Sequence, residues 1–497
     1  MSLGTSSLWA KSSHTFFVPR QVTTNSVFEL ALNNYRHYHQ EEGYNFPHEN
    51  GYEEEIEDED PYEKFSFSFY LTPFLQHSTR GEKLARYFLR CGNKTLTFNE
   101  INEDPNAVCS LWFGLESDLN THYTHGTLCM KPDRQAYGTY VNSSFSKQWD
   151  KHALWFNVAF AVMHVEHRLN MSSSISEVEG PLSNFELGTI DEFSSIIDAL
   201  NNPEWDFGKF SKNKLSRSGV DDVQLKLGYD RFCGDDEKNH ISPYLVATIP
   251  TGKRQRSEFI FEPLVGSKHT SLGIGVNGEY DIFSSDDEEF GISWLSDFKY
   301  RYVFSSRQCR SLDLCTNGDW SRYLLVVPED QHLATQPGIN LFSGSVDVTP
   351  RGTIDFWTAF NVHWPTYNIE FGYDFWWRQK EKVCLNGSGS TSYGIFDLAG
   401  MSVVPQSASK ANISQSAIGT NQAPSDASFV HLTSNDLNVN SAAHPAAYSS
   451  TFYAAWDWKK TTPETAFLLG VGGQYEFAHC TSALEQWTLW GKLGVVF

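Results

Sequence analysis

The chain has 497 residues, 40% of them hydrophobic, with 15 Trp, 22 Tyr and 36 Phe but only 5 Met, a composition that excludes disorder, collagen and coiled coil. With 38 Lys plus Arg against 60 Asp plus Glu the formal charge is −22, which repels the phosphates of nucleic acid. No run approaches the roughly 18 apolar residues that a membrane-spanning helix needs, so a helical membrane protein is excluded too.

Residues 1–62 form an N-terminal extension without alternation. Met1-Ser2-Leu3-Gly4 lacks the basic start and apolar middle of a secretory signal, which leaves a cytosolic chain or one whose signal peptide has been removed. Phe28 to Tyr38 reads as a short helix or tucked extension, and the acidic run Glu53 to Asp60 as a solvated stretch. That run lacks the Asp-x-Asp-x-Asp-Gly order of a calcium loop. The extension is expected to be a plug or a flexible tail.

From residue 63 onward the signal is alternation. In chain order the candidate strands are Phe65 to Leu71, Leu154 to Val162, Val223 to Tyr229, Leu272 to Ile282, Phe290 to Phe304 and Gly352 to Trp364. Tyr367 to Trp377, Tyr448 to Trp458, Glu464 to Phe477 and a last strand from Trp487 follow. One face of each is apolar and the other small or polar. Polar insertions fall near 170–219, with a short helix around Ile190 to Leu200, and near 385–445, rich in Ser, Asn, Ala and Gly.

Strands of about 9 to 11 residues cross a bilayer when tilted, and only a closed barrel leaves no unpaired edge in lipid. The expectation is an all-β fold: a single transmembrane antiparallel β-barrel over 63–497, of about 14 strands in a range of roughly 12 to 18, with long extracellular loops. A soluble β-sandwich is the competing fold.

On that reading Glu279, Asp297, Lys299, Arg301, Asp355, Glu370, Asp374 and Arg378 line a pore, and rings of carboxylates favour cations. Eight Cys occur with no CxxC spacing, so a zinc site is disfavoured, and Cys309 and Cys315 bracket a short polar segment that suits a loop disulfide. No GxSxG, HExxH or P-loop occurs, and His164 and His363 have no triad-like company. No enzyme, cofactor or metal is expected.

The last strand places Trp487, Leu489, Leu493, Val495 and the terminal Phe497 on one face. It resembles the targeting strand of Gram-negative outer-membrane β-barrels, with Lys492 where that signal usually has Gly. The pattern from 63 to 497 is similar to porin-type proteins. The resemblance implies a bacterial outer-membrane location, lipopolysaccharide and the barrel-insertion machinery as partners, and in many such proteins a homotrimer. Two functions stay open: a porin-like channel for passive diffusion of small hydrophilic solutes, cation-preferring, or a structural or surface-exposed barrel, an adhesin or lattice protein, with a plugged lumen.

Overall fold

In the computed structural model the alternating segments close on themselves. The structure describes residues 13–30, 63–99, 106–115, 122–179, 193–233, 239–285, 290–328, 336–386, 392–395, 411–414, 430–462 and 465–497. The acidic run at 53–60 lies outside them, as do 31–52.

Twelve strands form the barrel: β1 (Glu63–Ser78), β2 (Asp133–Trp149), β3 (His152–Arg168), β4 (Val223–Cys233), β5 (Asn239–Ile249), β6 (Ser271–Ser284), β7 (Gly291–Val303), β8 (Arg351–His363), β9 (Tyr367–Arg378), β10 (Ala447–Thr461), β11 (Ala466–Ala478) and β12 (Gln486–Val496). Each pairs antiparallel with the next, and β12 returns to β1 with Leu71 opposite Leu493 and Phe74 opposite Trp490. The ring leaves no free edge. The expected count of 14 is corrected to 12. Segments outside the barrel, such as Ser306–Ser311 with Ser343–Thr349, pair among themselves in small separate sheets.

A thirteenth strand, Leu215–Val220, extends β4 beyond the rim and pairs with the end of β3. Between them Asp221 and Asp222 form a bulge: Val220 faces Val162 and Gln224 faces Ala159, one residue more on this strand than on β3. A bulge re-aims side chains, and both carboxylates are buried.

The connections sort by end. Those at 150–151, 234–238, 285–290, 364–366 and 462–465 are short, whereas 79–132, 169–222, 250–270, 304–350 and 379–446 are long and lie at the opposite end, together with the short connection 479–485. Asp150, left-handed at φ 49°, sits in the two-residue turn between β2 and β3. The long connections fold together over one apolar core that includes Leu84, Phe98, Trp112, Ile196, Trp205, Trp320, Tyr323, Ile339 and Ile395. They form a cap over that end of the barrel.

The outer wall is apolar all the way round. Phe67, Phe145, Phe156, Leu227, Leu245, Ile274, Phe298, Phe360, Phe371, Phe452, Leu469 and Leu493, one from each strand, are between 42% and 61% exposed. A continuous apolar belt of this extent has no place on a water-soluble monomer and matches the outward face of a lipid-spanning barrel. No helix among the described residues is long and apolar enough to cross a membrane.

Candidate functional site

The inner wall is polar, with large aromatic rings set among the polar side chains. Tyr70, Phe74, Tyr140, Trp155, Tyr244, Trp357, Trp376, Tyr453 and Trp490 are all buried. Glycines on adjacent strands make room for several of these rings. A Cβ at Gly372 would sit 2.1 Å from the Tyr453 ring, one at Gly472 2.4 Å from Trp490, and one at Gly228 2.2 Å from Trp155. The small residues that read as a wet lumen face are the seats of these rings.

The lumen is occupied by the chain's own N-terminal segment, residues 13–30. Ser13 donates from its N–H and its hydroxyl to Asp319 in the cap, both at 3.0 Å. His14 donates from Nδ1 to the Ser441 carbonyl at 3.0 Å and stacks on Tyr87 with ring centroids 4.8 Å apart. The Arg310 guanidinium lies 3.3 Å from the centroid of Phe16. Farther along, Arg20 Nη2 donates to Asp355 Oδ1 at 2.7 Å and to Asp374 Oδ1 at 3.0 Å, and its Nη1 also donates to Asp374. Gln21 donates to Asp222 at 2.6 Å, and Thr23 donates from both N–H and hydroxyl to Asp221. The Thr24 carbonyl accepts from Lys299 Nζ at 3.2 Å. Asn25 accepts from the Val27 N–H at the start of a short helix, α1 (Ser26–Leu30). Phe28 then packs among Phe74, Tyr140 and Trp490 with centroids 5.5, 5.9 and 5.8 Å away.

The predicted lining residues fall as follows. Asp297, Lys299, Arg301, Asp355, Glu370, Asp374 and Arg378 are buried on the inner face, and Glu279 is half-buried. They meet partners rather than an open aqueous bore. Arg301 Nη2 lies 3.3 Å from Asp355 Oδ2, Tyr244 donates to Asp297 at 2.8 Å, the Tyr453 hydroxyl donates to Glu370, and Arg378 donates to His444 Nδ1 at 2.6 Å. Arg20 is the group that sequence reading missed: a cation lying between two apolar valines and inserted between two of the predicted wall carboxylates. Lys492 with Asp457, at 3.0 Å on β12 and β10, is a second missed pair.

Two cavities flank the segment. One, with about 690 Å³ of empty volume partly continuous with solvent, is lined by Pro19, Arg20, Thr24, His269, Trp376 and Glu381. The other, of about 320 Å³, shares Val18 to Gln21 and reaches Arg134 and Met163. At the cap, burial holds His14 down to about 3 and His444 well below the ordinary imidazole range, so both are neutral. Burial, with Asp313 beside it, lifts Asp319 to about 6.

The expected disulfide is absent: Cys309 and Cys315 are both free thiols. Cys309 belongs to Ser306–Ser311, paired with Ser343–Thr349, whereas Cys315 follows Asp313–Leu314, paired with Leu437–Asn438, and the two sheets hold them apart. No group of three or more metal-ligating side chains occurs among the described residues. In the last strand Leu489, Leu493 and Phe497 are exposed on the outer face, Trp487 stacks on His77, and Phe497 exchanges backbone hydrogen bonds with Phe67.

No family model and no curated protein matches this chain. Among solved structures it is similar to an outer-membrane channel from Pseudomonas putida F1, at 10% identity over 88% of this chain and 99% of that one, with a TM-score of 0.36. A mutant of the TodX monoaromatic hydrocarbon channel overlaps at 8% identity, 87% and 89% coverage and a TM-score of 0.32. A Pseudomonas aeruginosa FadL homologue overlaps at 6%, 88% and 90%, with 0.27. These overlaps are loose, and the barrel stands on its own strand pairing.

Proposed function

We propose that this chain is a bacterial outer-membrane barrel channel held shut by its own N-terminal segment, which passes small solutes when that segment leaves the lumen. The observation that carries this is Arg20 locked onto Asp355 and Asp374 on the inner wall. The ion pair is the charged centre of a set of side-chain contacts that hold a short segment against a closed wall, an arrangement that suits a gate, and cavities already flank it. The apolar belt supports the membrane setting, and the long connections with the cap would face outside, as in barrels of this class.

The free cation-preferring diffusion pore fits less well. Its carboxylates Asp355, Asp374 and Glu370 are satisfied by Arg20, Arg301 and Tyr453, so they supply no ring of unpaired charge. The aromatic inner wall around Phe28 suits solutes with apolar or aromatic surface better than hydrated ions. A second reading, a structural or surface barrel with a plugged lumen, is favoured by the extent of the cap's own core.

The test is single-channel recording in planar bilayers with the full chain and with Arg20→Ala. A silent parent and a variant with discrete openings support the gated channel. Silence in both, with insertion confirmed, overturns it and leaves the structural reading.

A further inference from the structure

One groove carries a charge opposite to that of the chain. Above the cap-side ends of β1, β2, β11 and β12, the cations Arg80, Lys83, Arg86, Lys94 and Lys131 line an open groove with about 1300 Å³ of empty volume. Its one lining carboxylate is Glu82; Glu485 lies behind it, its side chain 3% exposed. The formal charge of the whole chain is −22, so five cations against these two carboxylates is a local reversal.

The groove is built from the barrel outward. After β1 ends at Ser78 the chain enters the helix α2 (Gly81–Phe88), whose first turn packs against the residues leading into β2: a Cβ at Gly81 would lie 2.7 Å from the Pro132 carbonyl oxygen. That close approach brings Lys131 beside Glu82 at 3.4 Å, with Lys94 on the same carboxylate at 3.3 Å. Glu485, in the β11–β12 connection, holds Arg80 Nε at 2.9 Å and Lys83 Nζ at 3.6 Å, and accepts from Tyr475 at 3.0 Å. Arg80, Lys94 and Lys131 keep side chains that are 66%, 52% and 67% exposed.

Directly below, on the outer faces of the same four strands, Leu75, Tyr137, Phe477 and Leu489 are exposed, and His77 stacks on Trp487 at the level where aromatic side chains meet a membrane interface. Cations just above an apolar belt meet a ligand that is anionic at its head and apolar below. We infer that this groove binds the phosphate groups of a phosphorylated outer-leaflet glycolipid, lipid A chemistry, with Arg86, Lys94 and Lys131 facing the phosphates and the belt of β1, β2, β11 and β12 facing the acyl chains. The inference rests on the membrane-spanning reading above.

The test uses the full chain with phosphatidylcholine vesicles, with or without about 10 mol% diphosphorylated lipid A. Vesicle co-flotation and heat-modifiable gel mobility are measured alongside lipid A retained by the detergent-extracted protein. The parent should retain lipid A at least about tenfold better than the triple variant Arg86→Gln, Lys94→Gln, Lys131→Gln, and dephosphorylated lipid should erase the difference. Equal retention by parent and variant overturns the inference. So does complete displacement by inorganic phosphate, which would make the groove a soluble-phosphate site. A chain that floats normally but shows no preference sinks the glycolipid site alone. A chain that fails to float with neutral vesicles sinks the membrane reading and the site together.

Discussion

Arg20 and Asp355 are 335 positions apart in sequence, yet Nη2 of one lies 2.7 Å from Oδ1 of the other inside the barrel wall. Asp374, on the neighbouring strand, closes the other side of the guanidinium. Both carboxylate side chains are fully buried, so removing the arginine takes the guanidinium from Asp374 and leaves Asp355 its longer contact with Arg301 at 3.3 Å. Breaking such a pair by deleting one partner costs about 3–5 kcal/mol. Arg20→Ala is therefore expected to release the N-terminal segment, seen as faster protease cleavage within residues 13–30, while the barrel keeps its heat-modifiable mobility. Asp374→Asn should do the same more weakly, because Asp355 remains.

Phe28 tests the apolar half of the same attachment. It fills a space bounded by Phe74, Tyr140 and Trp490, and truncating a buried Phe to Ala costs about 3–5 kcal/mol when the site cannot collapse. The strand pairing around this site does not depend on Phe28. Phe28→Ala should thus expose residues 13–30 to protease and raise channel open time without lowering the barrel's own melting transition. A fall in barrel melting equal to the loss of protection would contradict this.

The docking of residues 13–14 in the cap responds to pH in two opposed ways. His14 and His444 are buried neutral, His14 held to about 3. Once undocked, His14 binds a proton below about 6.5, so docking weakens as pH falls through 6.5. Asp319 runs the other way. Lifted to about 6 by burial and by Asp313, it holds its proton more firmly under the cover of the docked segment than with that cover gone, so the burial that docking adds strengthens docking as pH falls through 6. Asp319→Asn removes the second limb, and acidification from pH 7 to 5 should then release the segment more readily than in the parent. In His14→Phe the trend should shift toward tighter docking in acid. Protease protection of residues 13–30 across that pH range reads both.

Most of the barrel was legible because lipid enforces period two on the outer face, as in β9, where Tyr367 and Phe371 point out while Glu370 and Asp374 point in. Two strands escaped. The outer face of β2 mixes Tyr137, Val141 and Phe145 with Thr139 and Ser143, which dilutes the pattern. β5 carries Pro243 and the unbroken apolar run Tyr244-Leu245-Val246-Ala247, because Tyr244 and Val246 are buried inward while Leu245 faces out. The candidate site was half legible. Wall carboxylates could be placed by period, but their partner Arg20 lies in a segment with no period, and only tertiary contact reveals it. The inward glycines misled, since a sequence shows the missing side chain and not the ring from the next strand that fills its place.

The thiols offer a check that is independent of transport. Cys233, Cys315 and Cys384 are exposed, whereas Cys109 and Cys480 are buried. In native protein a maleimide should modify the first three quickly and the last two only after unfolding. Reducing and non-reducing gels should show the same mobility, and a faster non-reduced band dependent on Cys309 and Cys315 would contradict the separate sheets that hold them.

Gly372 and Tyr453 provide the sharpest test of how the lumen is filled. The tyrosine ring lies over the glycine of the paired strand, its hydroxyl donating to Glu370 two residues earlier in β9. A methyl group at 372 would need space that the ring occupies, since its Cβ would come within 2.1 Å of a ring carbon. The ring must then swing toward the lumen, leaving Glu370 without that donor. Taking one donor from a buried carboxylate costs about 1–3 kcal/mol on top of the packing loss. Gly372→Ala is expected to lower the melting temperature, and Gly372→Ala combined with Glu370→Gln to recover part of the loss, because an amide tolerates the missing hydroxyl better than a charge does. If the double variant melts lower than the single by the full cost of Glu370→Gln alone, the two sites are independent and the ring does not couple them.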